Sequence, residues 1–170
     1  VGEVAYVIGE LENTSDQPVG EVTIVCRSYG EDGTLLDNRE GSAALAVVAA
    51  KGKAPYKNEA DLRDVTRFEL EVHSQPATGE NVLLEVTGAA MSEPKIGSVW
   101  ITGEVKNTTG VEIAGYSVAA VLRDAEGAVV EMAVTRVDTP LAAGASAPIK
   151  FMAHHRSAVA FEVFAQPASR

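Results

Sequence analysis

The chain is short of cysteine, histidine, aromatics and base. One cysteine, Cys26, stands among 170 residues, so an intrachain disulfide framework is excluded. Lys and Arg number 14 against 24 Asp and Glu, and the formal charge of −10 leaves no basic footprint for a nucleic acid. A long apolar run is also missing. The uncharged stretch Gly41 to Ala50, bounded by Glu40 and Lys51, falls well short of the roughly 20 residues of a membrane-spanning helix. Membrane attachment is therefore expected only through a segment outside this chain. No Ser-His-Asp or Cys-His arrangement has a spacing that argues for catalysis. The expectation is a non-enzyme with no cofactor and no metal. No signal peptide is visible, and because the chain opens at Val1 rather than Met, an upstream segment is expected to have been removed.

What is present is a pattern written twice. Gly9-Glu10-Leu11-Glu12-Asn13-Thr14 returns as Gly103-Glu104-Val105-Lys106-Asn107-Thr108, shifted by 94 positions. Residues 6–33 and 100–127 align without a gap, and the identities include Gly9, Asn13 and Gly33, positions where backbone shape decides. Later, 68–77 and 159–168 align at an offset of 91 and both end on Gln-Pro-Ala. The expected domains are 1–77 and 78–170, joined through Thr78-Gly79-Glu80 with almost no linker. Residues 1–77 carry 14 acids and 7 bases, residues 78–170 carry 10 and 7, so the first half is the more acidic.

Each copy reads as short strands. Residues 4–13 and 98–107 alternate, with Val7, Gly9 and Leu11 matching Ile101, Gly103 and Val105 on one face. Val22, Ile24, Cys26 and Ser28, matched by Tyr116, Val118, Ala120 and Leu122, form a second inward face. Gly33 and Gly127 supply the positive φ of a hairpin, returning Leu35-Leu36 and Val129-Val130 alongside. Gly41 to Ala50 is expected as strand and loop rather than helix, with Met132 to Val137 as its counterpart. Pro55 and Pro148 after Gly-containing turns indicate edge strands. In the last strand Phe68, Leu70 and Val72 are expected to face in, matched by Val159, Phe161 and Val163, while Arg67, Glu69, Glu71 and His73 face out. Copy two has an extra strand within Asn81 to Thr87, followed by Ser92-Glu93-Pro94, and copy one has only Val1 to Glu3 in that place. Copy one is thus expected to lack its first strand and to carry an open sheet edge.

The fold expected is all-β, two tandem immunoglobulin-like (fibronectin-III-like) β-sandwich domains. The run Gly-Glu-Val-Lys-Asn, an apolar strand and Leu-x-Asp-x-x-Gly resembles the bacterial FxLYD-type domain. Its name motif would fall on Ala120-Val121-Leu122-Arg123-Asp124 and on Cys26-Arg27-Ser28-Tyr29-Gly30; Leu122 and Asp124 are kept in one copy, Tyr29 in the other, and the Phe in neither. The resemblance implies a β-sandwich of exported or surface-anchored bacterial proteins, hence an extracytoplasmic location, and it carries no catalytic residue.

The candidate chemistry is thin. His154-His155, if on a strand, point to opposite faces and do not share a metal. Cys26 reads as a small core thiol. Glu31, Asp32, Asp37, Asp124 and Glu126 place acids near hairpin tips, a calcium arrangement without EF-hand spacing. Asn13-Thr14-Ser15 and Asn107-Thr108-Thr109 fit glycosylation acceptors, but turn geometry explains them as well. Tyr6 and Trp100 occupy one equivalent position opposite the inward face and are the candidate interaction surface. The functional expectation is a non-catalytic structural or protein-interaction module. Its partner would be an unknown protein, or a second copy met through the open edge of repeat 1. The alternative is a small-ligand, glycan or calcium-binding sandwich that uses its end loops.

Overall fold

Alternating patterns and turn residues give twelve strands and, among the described residues, no helix. The computed structural model describes residues 4–61, 63–77, 83–93, 97–155 and 157–168. Val1 to Glu3, the expected hinge Thr78-Gly79-Glu80, Asn81-Val82 and Pro94 lie outside them. The chain is all-β and divides into two compact units, Val1–Asn81 and Val82–Arg170.

In the first unit β1 (Val4–Glu12) pairs antiparallel with β5 (Lys53–Asp61). The facing sheet centres on β2 (Val19–Tyr29), flanked by β3 (Leu35–Ser42) and β6 (Arg67–Pro76), with the two-residue β4 (Val47–Val48) at its start. In the second unit β8 (Val99–Lys106) lies between β11 (Ser146–Ala153) and β7 (Glu85–Met91). Its facing sheet has the order β10 (Val129–Val137), β9 (Tyr116–Arg123), β12 (Ala160–Pro167). Each unit is an immunoglobulin-like sandwich of two antiparallel sheets.

Alternation places the core. Ile24, Cys26 and Ser28 on β2 are buried, as are Val118, Ala120 and Leu122 on β9. Tyr116, Val99, Ile101 and Val105 complete a continuous apolar cluster in the second unit. Both β2–β3 and β9–β10 close through a glycine in the left-handed region, Gly33 (φ 82°) and Gly127 (φ 83°). The bonds match too: Gly33 N donates to Gly30 O at 3.1 Å, and Gly127 N to Asp124 O at 3.1 Å. Pro148 sits on β11, which pairs with β8 alone among the described residues, and Pro55 sits on β5, whose edge away from β1 meets the chain after β3 through the Ala43–Tyr56 bridge and the bond from Ala44 N to Pro55 O at 2.8 Å.

Three readings of the sequence need correction. Residues 41–50 form the end of β3, a bridge from Ala43 to Tyr56, a bend and β4. By register, however, Met132 to Val137 corresponds to Asn38 to Ala43, since Arg39 faces Cys26 as Ala133 faces Ala120. The last strands also match at a different offset. Leu70 lies opposite Cys26 and Phe161 opposite Leu122, so the register equivalent of Phe161 is Phe68. A bulge in β2, with Glu21 at φ 49°, lets β6 run on to pair Gln75 with Gly20 and Pro76 with Val19. The shared Gln-Pro-Ala marks where both strands end, not a common register. Finally, Val159 precedes β12 and is exposed, and it does not face the core.

The asparagine after β1 and β8 ties each sandwich at one end. Asn13 Nδ2 donates to the carbonyls of Gln17 (2.8 Å), Val48 (3.2 Å) and Ala49 (2.9 Å). Asn107 Nδ2 does the same to Val111 (2.7 Å) and Leu141 (2.8 Å). Each Oδ1 accepts from the backbone and hydroxyl two residues on, Ser15 or Thr109. Both side chains are buried and fully engaged, which removes them from reach as glycosylation acceptors.

Asn107→Ala removes the side-chain donor shared by Val111 O and Leu141 O, which keep only Thr109 Oγ1 (3.0 Å) and Ile113 N (3.1 Å), and it leaves the part-buried Thr109 N–H without its acceptor. It should cost about 2–4 kcal/mol in urea unfolding. A loss below about 1 kcal/mol would show that the tie is not structural.

Candidate interaction surface

Unit 1 differs from unit 2 at one place, and the difference begins with an edge. On β8 the backbone is paired with β11 on one side and β7 on the other. On β1 the ladder runs to β5, and among the described residues no strand pairs with the opposite edge. The inward side chains register this. Ile101 and Val105 are at 0% exposure, whereas their equivalents Val7 and Leu11 are half-buried.

The facing sheet shows the same gap. In unit 2 β7 reaches across to β12: Leu84 N donates to Ala165 O at 2.8 Å, and Leu84, Val86, Phe161 and Val163 belong to the core or pack on it. In unit 1 the residues in that place are Phe68, Leu70 and Val72. They lie opposite Ser28, Cys26 and Ile24 and so share the inward face, as alternation requires. Their exposures are nonetheless 37%, 45% and 48%. The expectation that they are core residues is corrected: the face is right, but no described strand covers it. The result is an apolar stripe beside an unpaired strand edge.

The outer face of β6 is polar and ordered. Arg27 pairs with Glu71 (2.7 Å), whose other oxygen lies 3.3 Å from His73 Nε2. Arg67 pairs with Glu69 and stacks its guanidinium over Tyr29 at 4.3 Å. Tyr29 Oη donates to Glu69 Oε2 at 2.9 Å. Glu69 is held below its ordinary value first by the Arg67 hydrogen bond and then by Tyr29, and Glu71 is lowered by the bond from Arg27. The phenol of Tyr29 is correspondingly raised, chiefly by donating to Glu69.

Tyr6 and Trp100 are exposed, and a lysine lies over each ring: Lys57 Nζ at 4.1 Å from Tyr6 and Lys150 Nζ at 4.7 Å from Trp100. The two aromatic–cation pairs occupy equivalent places on β1–β5 and β8–β11. Sequence reading found the rings but not the lysines, because the pair forms across strands.

The remaining candidates are accounted for locally. His154 Nδ1 lies 3.1 Å from Ser98 Oγ, and His155 Nδ1 accepts from Ser157 N at 3.2 Å, so the adjacent rings have separate partners after β11. Asp32 accepts from Thr34 N and Oγ1 and is lowered by those bonds, and Asp124 Oδ1 accepts from Glu126 N and Ala128 N. These carboxylates cap turns. Among the described residues no group of His, Cys, Asp and Glu is arranged to hold a metal, and no helix is long and apolar enough to cross a membrane. Cys26 is buried, and burial, then the charge of Asp37, raises its thiol.

Two outcomes follow. Cys26 should react with a disulfide reagent at the rate of global unfolding; rapid labelling of native protein would contradict its burial. Because the folded values of Glu69 and Glu71 are depressed, their contribution is present above the unfolded value and lost as pH falls through the folded one. Carboxyl NMR should place both midpoints below the ordinary 4.5, and Arg27→Ala should return Glu71 upward.

No family model matches the chain, and no curated protein gives a significant sequence match. Solved structures with similarity include a beta-glucuronidase from glycoside hydrolase family 2, at 12% identity and TM-score 0.31, covering 92% of this chain and 20% of that one. Bacteroides uniformis beta-glucuronidase 2 is similar at 12% identity and TM-score 0.36, covering 98% and 25%. Red sea bream transglutaminase is similar at 12% identity and TM-score 0.32, covering 96% and 26%. The chain thus spans about a quarter or less of each of these proteins.

Proposed function

We propose that the chain is a non-catalytic protein-interaction module built from a duplicated sandwich, and that it binds through unit 1. The observation that carries this reading is that, among the described residues, the β1 edge without a second strand coincides with the exposed inward face of β6. Either feature alone is ordinary. Together they form one site where backbone hydrogen bonding and apolar burial are available to the same partner. The repeated pairs Tyr6–Lys57 and Trp100–Lys150 add amphipathic contact area on the outer faces. The resemblance to FxLYD-type domains supports placement in an exported or surface-anchored bacterial protein. The end-loop acids support the ligand alternative less well, because oxygens of Asp32 and Asp124 are engaged in turn capping.

A stripe of this kind should make itself felt in solution. Sedimentation velocity over a broad concentration series should show reversible association, and Leu70→Lys should weaken it while leaving the unfolding midpoint near that of the parent. A strictly monomeric chain that also fails to bind any extended peptide would overturn the reading.

A further inference from the structure

A single peptide bond in the chain joins an aspartate to a glycine, Asp32–Gly33, and no asparagine is followed by glycine. Such a bond is chemically weak, because glycine has no side chain to screen its amide. The Gly33 nitrogen can attack the Asp32 carboxyl carbon: a C–N bond forms, and the amide proton leaves with the carboxyl hydroxyl as water. Water then opens the succinimide ring at either carbonyl. One opening returns aspartate, and the other gives isoaspartate, whose backbone carries an extra methylene. The bond lies at the exposed tip of the β2–β3 hairpin. We infer that Asp32–Gly33 is a backbone-modification site that the folded hairpin holds closed, and that Thr34 is the residue that closes it.

Both reacting groups are engaged elsewhere. Asp32 Oδ1 accepts from Thr34 N at 2.9 Å and Oδ2 accepts from Thr34 Oγ1 at 2.9 Å, so the whole carboxylate is tied to the residue beyond the attacking nitrogen. The same bonds hold the carboxyl below its ordinary value and so deplete the acid form that loses water. Gly33 N donates to Gly30 O at 3.1 Å, with Gly33 at φ 82°, and Gly30 N donates to Thr34 O at 3.0 Å. Ring closure requires the Gly33 bond to break and the carboxylate to leave Thr34 at the same time. Isoaspartate therefore accumulates only as fast as the tip opens.

The matched turn of unit 2 shows that the hairpin can be capped without this bond. Its carboxylate comes from Asp124, the equivalent of Gly30, and accepts from Glu126 N (3.1 Å) and Ala128 N (2.8 Å). The residue before Gly127 is Glu126, whose longer side chain would have to close a larger ring. In unit 1 the cap is Asp32 itself, and Gly30 leaves it room: a Cβ there would stand 3.3 Å from Asp32 Oδ1. Where unit 2 has Ala128, unit 1 has Thr34, and its hydroxyl adds the second bond.

Prolonged incubation of the full chain at neutral pH, with isoaspartate at Asp32 measured by electron-transfer mass spectrometry, tests this. The native chain should accumulate it at least about tenfold more slowly than chain held unfolded in urea, the ratio expected from one charge-assisted hydrogen bond. Thr34→Ala should speed the native reaction severalfold while leaving the unfolding midpoint near the parent's, and Thr34→Ser should restore the parent rate. The double variant Gly30→Asp with Asp32→Glu, which copies the turn of unit 2, should stay unmodified under both conditions. Equal rates in native and unfolded chain, or a Thr34→Ala rate no different from the parent's, would overturn the inference.

Discussion

A strand in the middle of a sandwich sheet has two edges to pair and one face to cover; among the described residues β8 has all three satisfied, and β1 is paired along one edge. In unit 2 one short segment, β7, meets both needs, because it pairs with β8 and also closes over β12. That is why Ile101 and Val105 are sealed and Phe161 and Val163 pack on the core. Among the described residues unit 1 has no strand in that place, and both of its sheets register the difference. Val7 and Leu11 are only half-buried, and the inward, apolar side of β6 is left exposed.

Unit 1 has partly adapted. Tyr56 lies across Gly9, and Asn58 reaches from β5 to donate to Ile24 O at 2.9 Å, over Gly41, where any side chain would collide with it. These contacts bring β5 and β3 close on the side away from the open edge. The adaptation is incomplete in its polar pairing: Asn58 Oδ1 and Ser28 Oγ are buried with no hydrogen-bond partner among the described residues. The charge network of Arg27, Glu71, Arg67, Glu69 and Tyr29 keeps the other face of β6 soluble. β6 is thus polar and self-contained on one side and apolar on the other.

The elements that each unit specifies for itself were legible from residue order. Gly33 and Gly127 demanded a left-handed turn, Asn13 and Asn107 demanded an ordered loop, and period-two alternation assigned the faces of β1, β2, β8 and β9. Tyr6 and Trp100 were correctly placed on the outer face. The lysines above them were not visible, since Lys57 and Lys150 come from strands some fifty residues away in the chain. Copying the alternation of β6 onto β12 through Gln-Pro-Ala misjudged the register by two residues, because a bulge in β2 changes pairing without altering period.

Sequence alone therefore determined the all-β class, the two-unit plan, the turns and the inward-facing sets, all of which follow from local stereochemistry and a period of two. Tertiary structure decided whether an inward face is actually covered. Phe68, Leu70 and Val72 alternate as core residues do, and burial depends on whether another strand lies across them. That is a property of the neighbour, and no pattern within β6 records it.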